Sequence, residues 1–198
     1  MRIIGLAGGI GSGKSTVAKL LREFGATTVD LDKAGHQVLD QESIRDRLVA
    51  EFGERILDAS GNIDRKVLGD IVFNSQESLA KLNAIVHPAI DEIVEEKTRE
   101  SREKGIKVMV LEAAAMLENK REWQADEVWV TVASKDTVIG RIKSRPGFTG
   151  GDIRARIDSQ MSNEERIRLG DVVIENNGTI EELRARVKAE WDRLQERL

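Results

Sequence analysis

The chain has 198 residues, 40% of them hydrophobic, which suits one domain with a substantial core and leaves little room for a multi-domain ATPase. Thirty-five acidic residues outnumber 31 basic ones, and aromatics make up 4% with no tyrosine, which argues against a surface for a long polyanion and against a base-stacking platform; no nucleic-acid partner is expected. With no cysteine, disulfides and thiolate metal sites are excluded, and the two histidines, His36 and His87, lie too far apart to suggest a zinc site.

The apolar run Ile3-Ile4-Gly5-Leu6-Ala7 opens the chain and reads as a buried strand. Directly behind it, Gly8-Gly9-Ile10-Gly11-Ser12-Gly13-Lys14-Ser15 fits the phosphate-loop pattern G-x-x-x-x-G-K-[ST]. Ser15 to Phe24 follows with apolar residues at 17, 20, 21 and 24, the spacing of a helix face. Glycines in such a turn aim successive N–H groups at phosphate oxygens, and the helix presents its positive end to the same anion. The spacing therefore predicts a nucleoside triphosphate site built from Gly11, Ser12, Gly13, Lys14, Ser15 and Thr16. Lys14 is placed to reach the β and γ phosphates, and the Ser15 hydroxyl to ligate Mg²⁺, which takes the rest of its shell from phosphates and water.

Thr27-Thr28-Val29-Asp30 reads as a second strand, after which Asp30 and Asp32 share one side by the two-residue strand repeat. Ligands of open parallel sheets gather beyond the carboxyl ends of the strands, so both carboxylates are expected to face the phosphate loop. From about 40 to 105 the pattern is mainly helical, over Glu42 to Phe52, Arg65 to Phe73 and Ser78 to Lys97. That stretch exceeds a simple crossover and is expected to supply a surface for the second substrate or a moving lid.

Lys107–Glu112, Glu127–Val132 and Asp171–Ile174 complete five short, nearly continuous apolar strands, as a parallel sheet buried on both faces requires. Helices are predicted over Lys135–Ser144 and Asp152–Gln160, with a Pro/Gly hinge at Arg145–Gly151 between them. Thr179 and Glu182 form a capping box for a final helix whose face is Ile180, Leu183, Val187, Trp191, Leu194 and Leu198. The chain enters its first strand without a charged leader and holds no run of roughly 18 apolar residues, so a cytoplasmic protein without a membrane partner is expected.

Leu6 to Thr16, with Asp-x-Asp after the second strand, resembles the opening of the dephospho-coenzyme A kinases. Later segments agree in order: Asp64 to Leu68, Ile71 to Phe73, Leu82 to Ile90 with its Val-His-Pro, Arg156 to Met161, and Val173 to Gly178. The resemblance implies a P-loop kinase three-layer α/β fold with a five-stranded parallel sheet, a helical insertion at 40–105 for the acceptor and a short lid at 141–160. It also implies transfer of the ATP γ-phosphoryl group to the ribose 3′-hydroxyl of dephospho-coenzyme A. Asp32 would be the catalytic base, Arg141 would reach over the phosphates, and His36, Arg65 and His87 would lie on the acceptor side. A monomer or weak homo-oligomer is expected.

The chain departs from the family pattern where Ala114 stands for proline, His36 for arginine and Arg166 for lysine. Another small-molecule or nucleoside monophosphate kinase of the same fold is the nearest alternative. A GTP-dependent switch finds only weak support in Asp58-Ala59-Ser60-Gly61 and in Asn119-Lys120-Arg121-Glu122, neither of which follows a strand as a switch requires.

Overall fold

A computed structural model describes residues 1–114, 116–117, 125–143 and 157–198. The expected hinge at Arg145–Gly151, most of the Asp152–Gln160 helix, Glu118 and the Asn119–Glu122 motif lie outside those residues. The chain divides into two compact units, one of Met1–Asp30 with Glu100–Leu198 and one of Leu31–Arg99.

The first unit is built on a five-stranded sheet in the order β2-β3-β1-β4-β5. Its strands are β1 (Arg2–Gly8), β2 (Thr27–Asp30), β3 (Val108–Glu112), β4 (Glu127–Val132) and β5 (Val172–Glu175). All four pairings are parallel, with Leu6 opposite Glu112, Gly8 opposite Thr131, Asp30 opposite Glu112 and Val132 opposite Glu175. Helix α1 (Lys14–Glu23) follows β1 and helix α8 (Ile180–Gln195) follows β5. One face of the sheet, through Ile4, Leu6, Val108, Val110, Trp129 and Ile174, packs on Val17, Leu20 and Leu21 of α1 and Leu183, Val187, Trp191 and Leu194 of α8. The intervening residues Met109, Leu111 and Val130 are as deeply buried. Burial on both faces is why these strands read as continuous apolar runs and not as alternating ones.

The final helix has its expected capping box, with Glu182 N–H donating to Thr179 Oγ1 at 3.2 Å and Thr179 N–H to Glu182 Oε2 at 2.9 Å. Its apolar stripe is shorter than the sequence suggests, because Ile180 and Leu198 are 52% and 44% exposed. Ile180 is the first residue of the helix and Leu198 lies three residues beyond its last.

The second unit contains helices α2 (Leu31–Val38), α3 (Glu42–Phe52) and α4 (Arg65–Phe73) and the greater part of α5 (Gln76–Glu103). Ile44, Leu48 and Phe52 of α3, Leu68 and Val72 of α4, and Ile85, Val86, Ala89 and Ile90 of α5 are buried. Asp64 caps α4 by accepting from Lys66 N–H at 2.9 Å and Val67 N–H at 3.1 Å. Pro88 lies within α5, which makes His87 an interior helical residue.

The expected placement of the Asp-x-Asp pair is corrected by the structure. Asp30 ends β2, but Leu31 already begins α2, which places Asp32 in the first helical turn. The two-residue alternation that put Asp30 and Asp32 on one side of a strand does not apply. Buried Leu31, Ala34 and Val38 stand three and four residues apart, and that helical period outweighs the two-residue one.

Candidate functional site

The phosphate loop turns at the carboxyl end of β1, the central strand, where chain connections depart to opposite sides of the sheet. Ligands of open parallel sheets collect at such a switch point. Gly11 and Gly13 have φ of 71° and 95°, values that L side chains rarely adopt, so glycine is required at both. Gly13 is also the N-cap of α1, with no side chain to satisfy the first helical amides. An anion at this end completes what the sequence leaves open. Within the loop, Ser12 N–H donates to Gly9 O at 3.1 Å, and Thr16 and Val17 N–H donate to Gly13 O at 2.9 and 3.0 Å. Lys14 opens the helix half-buried, and Ser15, next in the first turn, is exposed.

Three side chains from distant parts of the sequence hold this backbone. Asn176, one residue beyond β5, donates through Nδ2 to Ser12 O at 2.8 Å. Arg141, in the last turn of α6 (Lys135–Lys143), donates to Gly11 O at 3.4 Å and to Asn176 Oδ1 at 3.0 Å. Gln160 accepts the Ile10 N–H at 2.9 Å through Oε1. Arg166, on α7 (Asn163–Leu169), is 4% exposed and packs so close to Gly9 that a Cβ there would lie 2.8 Å from its Nη1. A cavity of about 550 Å³ adjoins the loop on this side, lined by Gly9, Ile10, Ser134, Lys135, Asp158 and Arg166 among others. Lys135 Nζ and Asp158 pair across 3.0 Å.

The family resemblance implies that Arg141 reaches over the phosphates; the structure bonds it to the loop backbone at Gly11 O. Sequence reasoning does not assign Gln160, Arg166 or Asn176 to the loop. Their segments are legible as motifs, but nothing local reveals a partner 150 or 164 residues away.

Of the acidic candidates, Asp30 is exposed at the end of β2, and Glu112, 6% exposed, is buried at the end of β3 in register with it. Asp32 is exposed in the first turn of α2. In the same unit, Arg65 Nη2 donates to Asp40 Oδ1 at 3.1 Å and to the His36 carbonyl at 3.3 Å, so two expected acceptor-side residues meet. His87 is half-buried on α5. Asp58 accepts from Ser60 and Asn62 N–H at 2.8 and 3.0 Å, which makes the Asp58–Gly61 tetrapeptide a side-chain-closed turn and not a switch element.

Among the described residues no cluster of three or more His, Cys, Asp or Glu side chains is arranged to hold a metal. No described helix is long and apolar enough to cross a membrane.

Residues 2–182 match the family model described as CoaE, dephospho-CoA kinase. The dephospho-CoA kinase of Geobacter sulfurreducens is 42% identical over 192 residues, spanning 96% of this chain and 98% of that one. Among solved structures, TT1252 from Thermus thermophilus superposes with a TM-score of 0.83 at 32% identity over 98% of this chain and 97% of that one. The dephospho-CoA kinase from Campylobacter jejuni does so with a TM-score of 0.70 at 25% identity, over 99% and 98%. A family match across nearly the whole chain, relatives of equal length and a phosphate loop set at the central strand agree on one conclusion: the chain belongs to the dephospho-CoA kinase family.

Proposed function

We propose that the protein transfers the γ-phosphoryl group of ATP to the ribose 3′-hydroxyl of dephospho-coenzyme A, giving coenzyme A and ADP, with Asp32 as the base. The carrying observation is the phosphate loop at the head of the central strand, with Arg141 bonded to its backbone, in a chain of this family.

Phosphoryl transfer passes through a loose transition state, so the protein mainly aligns the reactants and offsets charge on the equatorial oxygens. The bond between the γ-phosphorus and the β,γ-bridging oxygen breaks, a bond to the 3′-oxygen forms, and the hydroxyl proton passes to the Asp32 carboxylate. Lys14 and the N-terminal end of α1 meet the β and γ phosphates, and Arg141 adds a second cation. Mg²⁺, held by Ser15 together with phosphate oxygens, supplies further charge neutralisation when bound. The helical stretch at 40–105 holds the acceptor, with His36, Arg65 and His87 among its contacts; the lid expected at 141–160 lies mostly outside the described residues.

The test is ADP release with Mg·ATP across a panel of acceptors: dephospho-coenzyme A, adenosine, AMP, CMP and small hydroxylated metabolites, with Lys14→Ala as the blank. Turnover confined to dephospho-coenzyme A is the expected result. Turnover with another acceptor instead would move the acceptor assignment and leave the loop chemistry in place.

A further inference from the structure

Asn176 spends both ends of its side-chain amide at the phosphate loop. Its backbone is fixed first, because its N–H donates to Val132 O at 2.8 Å, extending the β4–β5 pairing by one residue. The side chain, only 6% exposed, then gives its Nδ2 hydrogen to Ser12 O at 2.8 Å and takes a hydrogen from Arg141 Nη2 on Oδ1 at 3.0 Å. Among side chains of this size only asparagine offers a donor and an acceptor at the same distance from Cβ: aspartate offers two acceptors and leucine neither.

The Ser12 carbonyl belongs to the same planar trans peptide as the Gly13 N–H, and the two point in opposite directions. Holding the carbonyl on Asn176 therefore turns the Gly13 N–H the other way, into the turn. The next residue is a glycine with φ of 95°, and glycine accepts either orientation of the preceding peptide at little cost. A flipped peptide would aim a carbonyl oxygen where an anion needs a donor. The Asn176 amide also fills the space in which a Gly13 Cβ would stand, so the trailing arm of the loop is shaped around it.

We propose that Asn176 is a positioning residue for nucleotide binding: it locks the Ser12–Gly13 peptide with its N–H toward the nucleotide phosphates, and it holds Arg141 against the same arm. This rests on the reading that those phosphates occupy the loop, and not on the identity of the acceptor.

The experiment is titration of Mg·ADP into the wild type, Asn176→Ala and Asn176→Leu, the last restoring side-chain volume without a donor. The same substitutions are made in an Arg141→Ala background, and steady-state kinetics accompany the titrations. Loss of one hydrogen bond to a charged group predicts that the ADP Kd and the ATP KM rise roughly 10- to 100-fold. The acceptor KM should stay unchanged, and a weakening should persist in the Arg141→Ala background. An ADP Kd within about twofold of wild type in either folded variant would overturn the proposal, since such a change is small beside one hydrogen bond. So would a fall in kcat alone, which reports a smaller folded fraction. An effect that vanishes in the Arg141→Ala background would assign Asn176 to Arg141 and refute the peptide lock. If Lys14→Ala leaves ADP binding intact, the placement of phosphates in the loop fails, which is a separate outcome.

Discussion

At the scale of single residues the proposed site divides into groups assigned to phosphate and groups that hold the loop. Lys14 and Ser15 are proposed for the first kind and are legible from a motif of eight positions, because phosphate binding constrains backbone shape and charge within one turn. Asp32 is legible as a candidate by its place after a strand, but not by the geometry that a strand repeat suggests: it lies in the first turn of a helix and does not end a strand. Its proposed role as base predicts that Asp32→Asn retains ADP binding in a calorimetric titration while kcat falls roughly 10²- to 10⁴-fold, the usual cost of losing a general base. Full turnover in that variant would remove Asp32 from the chemistry. Arg141 carries a different expectation. Its guanidinium bonds both Gly11 O and Asn176, so Arg141→Ala should raise the ATP KM about tenfold or more, as for other charge-assisted hydrogen bonds. Unchanged ATP saturation would return it to a structural role.

At the scale of elements, the helix that follows the loop and the helix that ends the chain are one packing unit. Trp191 of α8 is 7% exposed and meets Phe24, just beyond α1, with ring centroids 6.3 Å apart. Arg184 of α8 pairs with Glu23 of α1 and stands 5.2 Å from the Phe24 ring centroid. Trp191→Ala should therefore lower the free energy of unfolding by roughly 3–5 kcal/mol, the range for a large buried aromatic, measurable by urea titration. A loss below about 1 kcal/mol would mean that α8 contributes little to the fold of this unit.

A second element, α7, carries Arg166 to the loop, and its start is a capping box in which Ser162 N–H donates to Glu165 Oε2 at 3.0 Å. Hydrogen bonding from Ser162 backbone and hydroxyl, aided by Arg168 and Arg166, holds the Glu165 carboxyl below its ordinary value of 4.5. A depressed carboxyl stabilises the folded state above that value, and the contribution fades as pH falls through the lowered one. Thermal midpoints should accordingly drop more steeply below about pH 4.5 for the wild type than for Glu165→Gln. Parallel acid limbs in the two proteins would show that the cap does not titrate with folding.

For the whole molecule, the proposed activity assigns the two compact units ligands of different kinds. On that proposal the nucleotide belongs to the unit that contains the loop, α6 and Asn176. Binding raises the stability of the state that binds by about 2.7 kcal/mol at a ligand concentration 100 times Kd. Mg·ADP should therefore increase amide hydrogen-exchange protection over residues 8–17 and 174–178, read by mass spectrometry. Protection gained within residues 31–99 alone would place the nucleotide elsewhere.

Strand and helix assignments can be read along the chain because each rests on neighbours two, three or four residues apart: the continuous runs of a doubly covered sheet, the 17-20-21-24 stripe of α1, the Thr179–Glu182 cap. The phosphate loop can be read for the same reason. Residues 31–38 do not read as a helix because three buried positions next to an Asp-x-Asp sequence carry a weak period. Ile180 and Leu198 read as core because a stripe does not record where the surface beneath it ends. The hydrogen bonds of Gln160 and Asn176 to the loop, and the packing of Arg166 beside Gly9, were decided by the fold alone. Each is an ordinary polar residue in its own neighbourhood, and its role exists only because a parallel sheet with crossover connections brings the carboxyl ends of β1, β4 and β5 side by side. Local periodicity determines which segments form and which loop can cradle a phosphate; adjacency between distant strands determines what holds that loop in shape.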